Sequence, residues 1–135
     1  MSGAVGGVNP ERGELELVLG DTSYRLRPTF AANNAIERKT ECSLLQLAHK
    51  AGAYALTLAE LGTIAAEWIK AGAEDELTQR VSAERIAELI YEHGIAGVTA
   101  RLAIGLVEAI TGGRTAAGEA KAAPASATTG AATGN

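Results

Sequence analysis

One cysteine, two histidines and no cluster of ligand-type residues leave this chain of 135 residues little with which to do metal or redox chemistry. Cys42 alone cannot close an internal disulfide, nor hold a structural zinc without ligands of other types, and its isolation suits a reducing cytoplasm. Its neighbours Glu41 and Ser43 do not form a nucleophile motif, so a small, half-buried thiol is the reading. His49 and His93 stand near the ends of two expected helices, where a partly positive imidazole interacts favourably with the helix dipole. A basic excess is also missing. The formal charge is −4, the isoelectric point is near 5.2, and the Lys and Arg residues are scattered, which disfavours a phosphate backbone as partner. No uninterrupted apolar run reaches the roughly twenty residues of a membrane span, because even Ile95 to Ile110 contains Arg101 and Glu108. The opening Met1 to Pro10 lacks the positive flank and apolar run of a secretory signal. Gly3, Gly6 and Gly7 precede no strand-to-helix phosphate loop. With no nucleophile, paired base or ligand cluster, no catalytic residue, cofactor site or metal site is expected, and the chain is read as non-enzymatic.

What the sequence does have is a change of period at Pro28. Before it, Leu15, Leu17 and Leu19 alternate with polar residues, and Tyr24 and Leu26 do the same after Gly20-Asp21. A two-residue loop at Gly20-Asp21 opposes Glu14 to Arg27, Leu15 to Leu26, Glu16 to Arg25 and Leu17 to Tyr24. A slip by one residue would set Leu15 against Arg27, so this register is strongly specified. An isolated hairpin is marginal in water, so its apolar face needs a cover.

After Pro28 the period becomes helical. Thr29 can cap a helix from Phe30 to Lys39, with Phe30 and Ile36 facing the hairpin, so truncation of Phe30 is expected to be costly. Leu44, Leu47, Ala48 and Ala51 suggest a short second helix between Ser43 and Gly52. Thr57 and Glu60 have the spacing of a capping box, and Leu58, Leu61, Ile64, Ala65, Trp68 and Ile69 trace one face of a third, with Trp68 read as core. A polar connector follows Gly72. Ser82 caps a fourth helix that carries Ile86, Leu89 and Ile90 on one side and Glu84, Glu88 and Glu92 on the other, the acidic side being read as solvated. The fifth, Ile95 to about Thr111, is apolar or small over most of its circumference. It is either the central element of the core or partly covered by another molecule. The fold class is therefore α+β, an N-terminal β-hairpin packed on about five short α-helices. Residues 1–12 read as a flexible arm, 13–113 as a single domain, and 114–135, rich in Ala, Thr and Gly, as a disordered tail.

The run Gly13-Glu14-Leu15-Glu16-Leu17, then Tyr24-Arg25-Leu26-Arg27-Pro28-Thr29-Phe30, then Ile36 to Thr40 and Leu44 to Ala48, resembles the gene-transfer-agent and phage tail assembly chaperone family. Ile86 to Ile90, Gly94, the apolar last helix and Gly112-Gly113 continue the likeness. The sequence departs from the family in having Gly20-Asp21 where members often have Asp-Gly, and in its long tail. The resemblance implies a cytoplasmic assembly factor that binds the tape-measure protein, recruits tail-tube subunits and is absent from the mature particle. The alternative is a structural tail or tail-tube component retained in the particle, or an unrelated adaptor module. Arg25, Arg27, Pro28, Thr29 and Phe30 read as residues that specify the fold. Ile104 and Val107, outside the stripe of Val98, Leu102 and Leu106, are the candidate partner contacts. No oligomeric state follows from the sequence.

Overall fold

A computed structural model describes residues 14–121; the expected arm at 1–12 and the tail from 122 onward lie outside the described residues. Strands β1 (Leu15–Leu19) and β2 (Thr22–Leu26) form an antiparallel hairpin in the register that the alternation requires, Leu15 opposite Leu26, Glu16 opposite Arg25 and Leu17 opposite Tyr24. Gly20 turns the chain at φ 62°, a left-handed conformation that glycine adopts without a Cβ clash. Leu17, Leu19 and Leu26 are buried, and Leu15 and Tyr24 pack against them.

Among the described residues six helices follow: α1 (Phe30–Thr40), α2 (Leu44–Gly52), α3 (Leu58–Gly72), α4 (Glu76–Gln79), α5 (Ala83–His93) and α6 (Ile95–Ile110). Their starts are set by short-range chemistry. Thr29 Oγ1 accepts from Ala32 N at 3.0 Å, Ser82 Oγ from Arg85 N at 3.0 Å, and Ser43 with Gln46 and Thr57 with Glu60 each close a reciprocal capping box. Such caps are each worth about 1 kcal/mol. The single turn α4 lies inside the stretch expected as a connector, where the Asp75 carboxylate accepts from Thr78 N at 2.8 Å.

The centre of the core is α3, which packs against α1, β2, α5, α6 and α4. Leu61, Ile64, Ala65, Ala66, Trp68 and Ile69 are buried around most of its circumference. Two glycines let neighbours approach closely. A Cβ at Gly62 would lie 2.5 Å from the Ala83 carbonyl oxygen on α5, and one at Gly72 would lie 2.7 Å from that of Arg25 on β2. One turn earlier on α3 the Arg27 amide donates to the Trp68 carbonyl at 3.0 Å. Of the two readings left open for α6, the structure supports neither in full. Val98, Leu102 and Leu106 enter the core and Gly105 sits under the Trp68 ring, but the outer side of α6 has no cover among the described residues.

Two expectations are corrected. Phe30 does not face the hairpin. It is 67 % exposed, because as the first residue of α1 it points away from the face that carries Ala32, Asn33 and Ile36 inward. The disorder expected from residue 114 onward does not extend to residues 114–121, which form a turn closed by an Arg114–Ala120 bridge and docked on the β2–α1 corner. This segment buries little apolar surface, and arginine side chains tether its backbone instead.

Candidate interaction surface

The Arg-Leu-Arg-Pro-Thr-Phe stretch builds the corner between sheet and helices. Arg25, opposite Glu16 in register, sends its guanidinium to Glu74 beyond the end of α3 at 3.0 Å, while Glu16 accepts a hydrogen bond from Ser23 Oγ. The expected cross-strand charge pair is therefore replaced by a tie between the hairpin and the chain after α3. Arg27 lies 3.8 Å from the buried Glu14 carboxylate, as the register implies. It also donates from Nε to the Ala117 carbonyl at 2.9 Å and approaches Glu119 at 3.7 Å. Pro28 is buried, Thr29 caps α1, and the Phe30 amide donates to the Ala116 carbonyl at 2.9 Å. Arg114, nearly buried itself, holds the base of this strap by pairing with Glu108 and donating to the Gly118 carbonyl. Arg25, Arg27 and Thr29 thus engage other parts of the chain through their side chains, and Phe30 does so through its backbone rather than its ring.

Titratable groups elsewhere join helices, and Cys42, His49 and Lys50 line one hollow beside α2. Lys50 on α2 lies 2.5 Å from Glu60 on α3, whose other oxygen closes the α3 capping box. Burial works against the charged form of Glu60, but the hydrogen bond from Lys50 and that from the Thr57 amide outweigh it and hold the carboxyl below its usual value; the same contact raises Lys50. Glu67 is likewise penalised by burial and still lowered, by Lys39 and Lys70. Cys42 Sγ lies 3.7 Å from Glu60 and is half-buried. His49 and His93 are exposed. Among the described residues no group of three or more His, Cys, Asp or Glu side chains could hold a metal ion.

What α6 presents to solvent is apolar. Ile104 and Val107 are 46 % and 48 % exposed, with Ala96 and Ala100 beside them toward the helix start. Arg101 and the half-exposed Glu108 border this strip on one side. The structure therefore brings Ile104 and Val107 together on one outer face and separates them from the motif residues, which lie at the strap corner.

Sequence reasoning missed Asn33. Its Oδ1 accepts from Trp68 Nε1 at 2.7 Å in the core, joining α1 to α3. The available signal was its position three residues before Ile36, which puts it on the buried face of α1.

A model of the family described as phage tail tube protein, GTA-gp10, matches residues 12–113. The chain belongs to this family. The match covers the hairpin and all six helices of this tail-family protein and ends at Gly113, so the strap at 114–121 lies just outside it. No curated protein and no solved structure gives a significant match. The family description names a tube protein, where the motif resemblance had pointed to an assembly chaperone; phage and gene-transfer-agent tails are common to both. No helix among the described residues is long and apolar enough to cross a membrane.

Proposed function

We propose that the chain is a non-enzymatic protein of a phage or gene-transfer-agent tail, working through protein contacts as a component of the tail tube. The observation that carries this reading is the family match over residues 12–113. The exposed apolar strip on α6 agrees with a protein that works by contact. Quantitative mass spectrometry of purified particles tests it. Retention in a fixed ratio to the other tube subunits is expected, and its absence from finished, tail-bearing particles overturns the tube reading.

The second reading, a tail assembly chaperone acting in the host cytoplasm on the tape-measure and tail-tube proteins, is favoured by the same strip. Ile104 and Val107 offer the kind of apolar helix face that could cover a long helical client. Under it the chain is missing from particles, and replacing Ile104 and Val107 by polar residues lowers the solubility and co-purification of the tape-measure protein. Unchanged solubility and co-purification would remove this second reading.

A further inference from the structure

We propose that the outer face of α6 pairs with the same face of a second copy, the two helices running antiparallel about a two-fold axis that passes midway between residues 104 and 105. This takes the exposed strip used in the proposed function and names its first partner.

At about 100° per residue, Ala100, Ile104 and Val107 fall within roughly 60° of one another on the side opposite Leu102. Arg101 and Glu108 lie about 20° apart, on one flank only, roughly 80° round from the middle of the strip. They are also equidistant from the proposed axis. When the axis lies in the contact plane and across the helices, the copies run antiparallel and each flank stays on its own side. Arg101 then reaches the level of the second copy's Glu108 on the same side, and the relation repeats at the other end. A parallel pairing puts the two charged flanks on opposite sides of the contact and matches nothing. The apolar strip is self-complementary in the same arrangement, since Ile104 lies near the axis and Ala100 falls close to the level of the second copy's Val107. Such reciprocity is what an isologous interface requires.

The charges are available for it. Arg101 is exposed and makes no ion pair among the described residues, and although Glu16 lines the same hollow beside Gly97 and Val98, its carboxylate accepts from Ser23. Glu108 holds Arg114 and still leaves 41 % of its side chain exposed. Of the other two large apolar side chains exposed on α6, Ile110 lies on the flank away from Arg101 and Glu108, roughly 90° round from the middle of the strip, and Ile95 lies on the far side of the helix start, outside the contact. One helix face is a small contact, which places the association at the weak end of specific interfaces.

The test is sedimentation velocity on the purified full chain, over a series reaching about 1 mM in low salt. Concentration-dependent dimer is expected. Arg101→Glu brings like charges together twice and should weaken the dimer by on the order of tenfold. Adding Glu108→Lys to Arg101→Glu restores opposite charges and should recover most of that loss. Ile104→Glu should leave only monomer. Circular dichroism reports whether each variant is folded. Because Glu108 also holds Arg114, the Arg101→Glu and Ile104→Glu variants alone decide the matter if the double variant unfolds. A wild-type chain that stays monomeric throughout, or a dimer that survives Ile104→Glu, overturns the pairing. Neither result touches the tail assignment, which particle composition decides.

Discussion

Removing the Asn33 side chain tests how far the core depends on one polar contact. Trp68 is fully buried, and its indole N–H has Asn33 Oδ1 at 2.7 Å as acceptor. In Asn33→Ala this donor is stranded in the interior, which costs about 1–3 kcal/mol. Alanine is the better helix former by roughly 0.5 kcal/mol, so the net loss should be about 1–2 kcal/mol. For a domain of this size, with a urea m-value at the low end of the usual range, that lowers the unfolding midpoint by roughly 1 M. The assay is urea unfolding followed by the emission of Trp68, the only tryptophan in the chain. A double-mutant cycle with Trp68→Phe, read by circular dichroism, isolates the pair, because the phenylalanine ring has no N–H to strand. The coupling energy should be at least about 0.5 kcal/mol, as expected for residues in contact. A coupling near zero, or an Asn33→Ala variant as stable as the parent, would show that the indole N–H finds water or another acceptor, and the account of the α1–α3 junction would fail.

Three further outcomes follow from the packing. Gly62→Ala should destabilise by about 1–3 kcal/mol in thermal or urea unfolding, because the new methyl meets the Ala83 backbone oxygen and the Ala87 Cβ at 2.5 and 2.8 Å, and α5 must shift. Phe30→Ala should change stability by no more than about 0.5 kcal/mol, since the ring is two-thirds exposed and the backbone bond to Ala116 survives the substitution. Acid should weaken the fold through Glu60 and Glu67. Both carboxyls are held below their usual value in the folded chain, so their contribution is fully present above the ordinary glutamate range and is lost as pH falls through the lowered folded values. Glu60→Gln should flatten that acid limb in urea titrations at a series of pH values, and an unchanged slope would contradict the assignment.

The parts of the fold that were legible are those fixed by short-range chemistry. The hairpin register follows from placing acid opposite base and leucine opposite leucine or tyrosine, and four helix starts follow from Thr29, Ser43, Thr57 and Ser82, whose side chains satisfy the first orphan amides. What escaped was set by contacts between distant residues. Gly62 and Gly72 look like helix weakeners, yet they make α3 the hub by admitting α5 and β2. Arg27 and Arg114 look like surface charges, yet they hold the strap by its carbonyls across some ninety residues in one case. Ile104 and Val107 were legible as exposed, because Val98, Leu102 and Leu106 already claimed the inner face. Their partner was not, since periodicity reports which side of a helix is apolar and says nothing of what lies against it.

The arrangement separates two jobs that the sequence left entangled. Arg25, Arg27, Pro28 and Thr29 spend their side chains on the chain itself, binding the hairpin to α3, α1 and the strap. Substitutions there should act through stability and through docking of residues 114–121. The outer side of α6 makes no such contribution, so Ile104 and Arg101 can be changed with little effect on folding and, if the helices pair as proposed, with a large effect on association. The two surfaces do touch at one residue. Glu108 borders the strip and also pairs with Arg114 at the base of the strap. A second copy seated on α6 would therefore compete for, or reinforce, the charge that anchors residues 114–121, which makes hydrogen exchange at the Phe30 amide, whose acceptor is Ala116, a local report of events on α6. If that amide exchanges at the same rate in the monomer and in the dimer, the strap and the strip are independent.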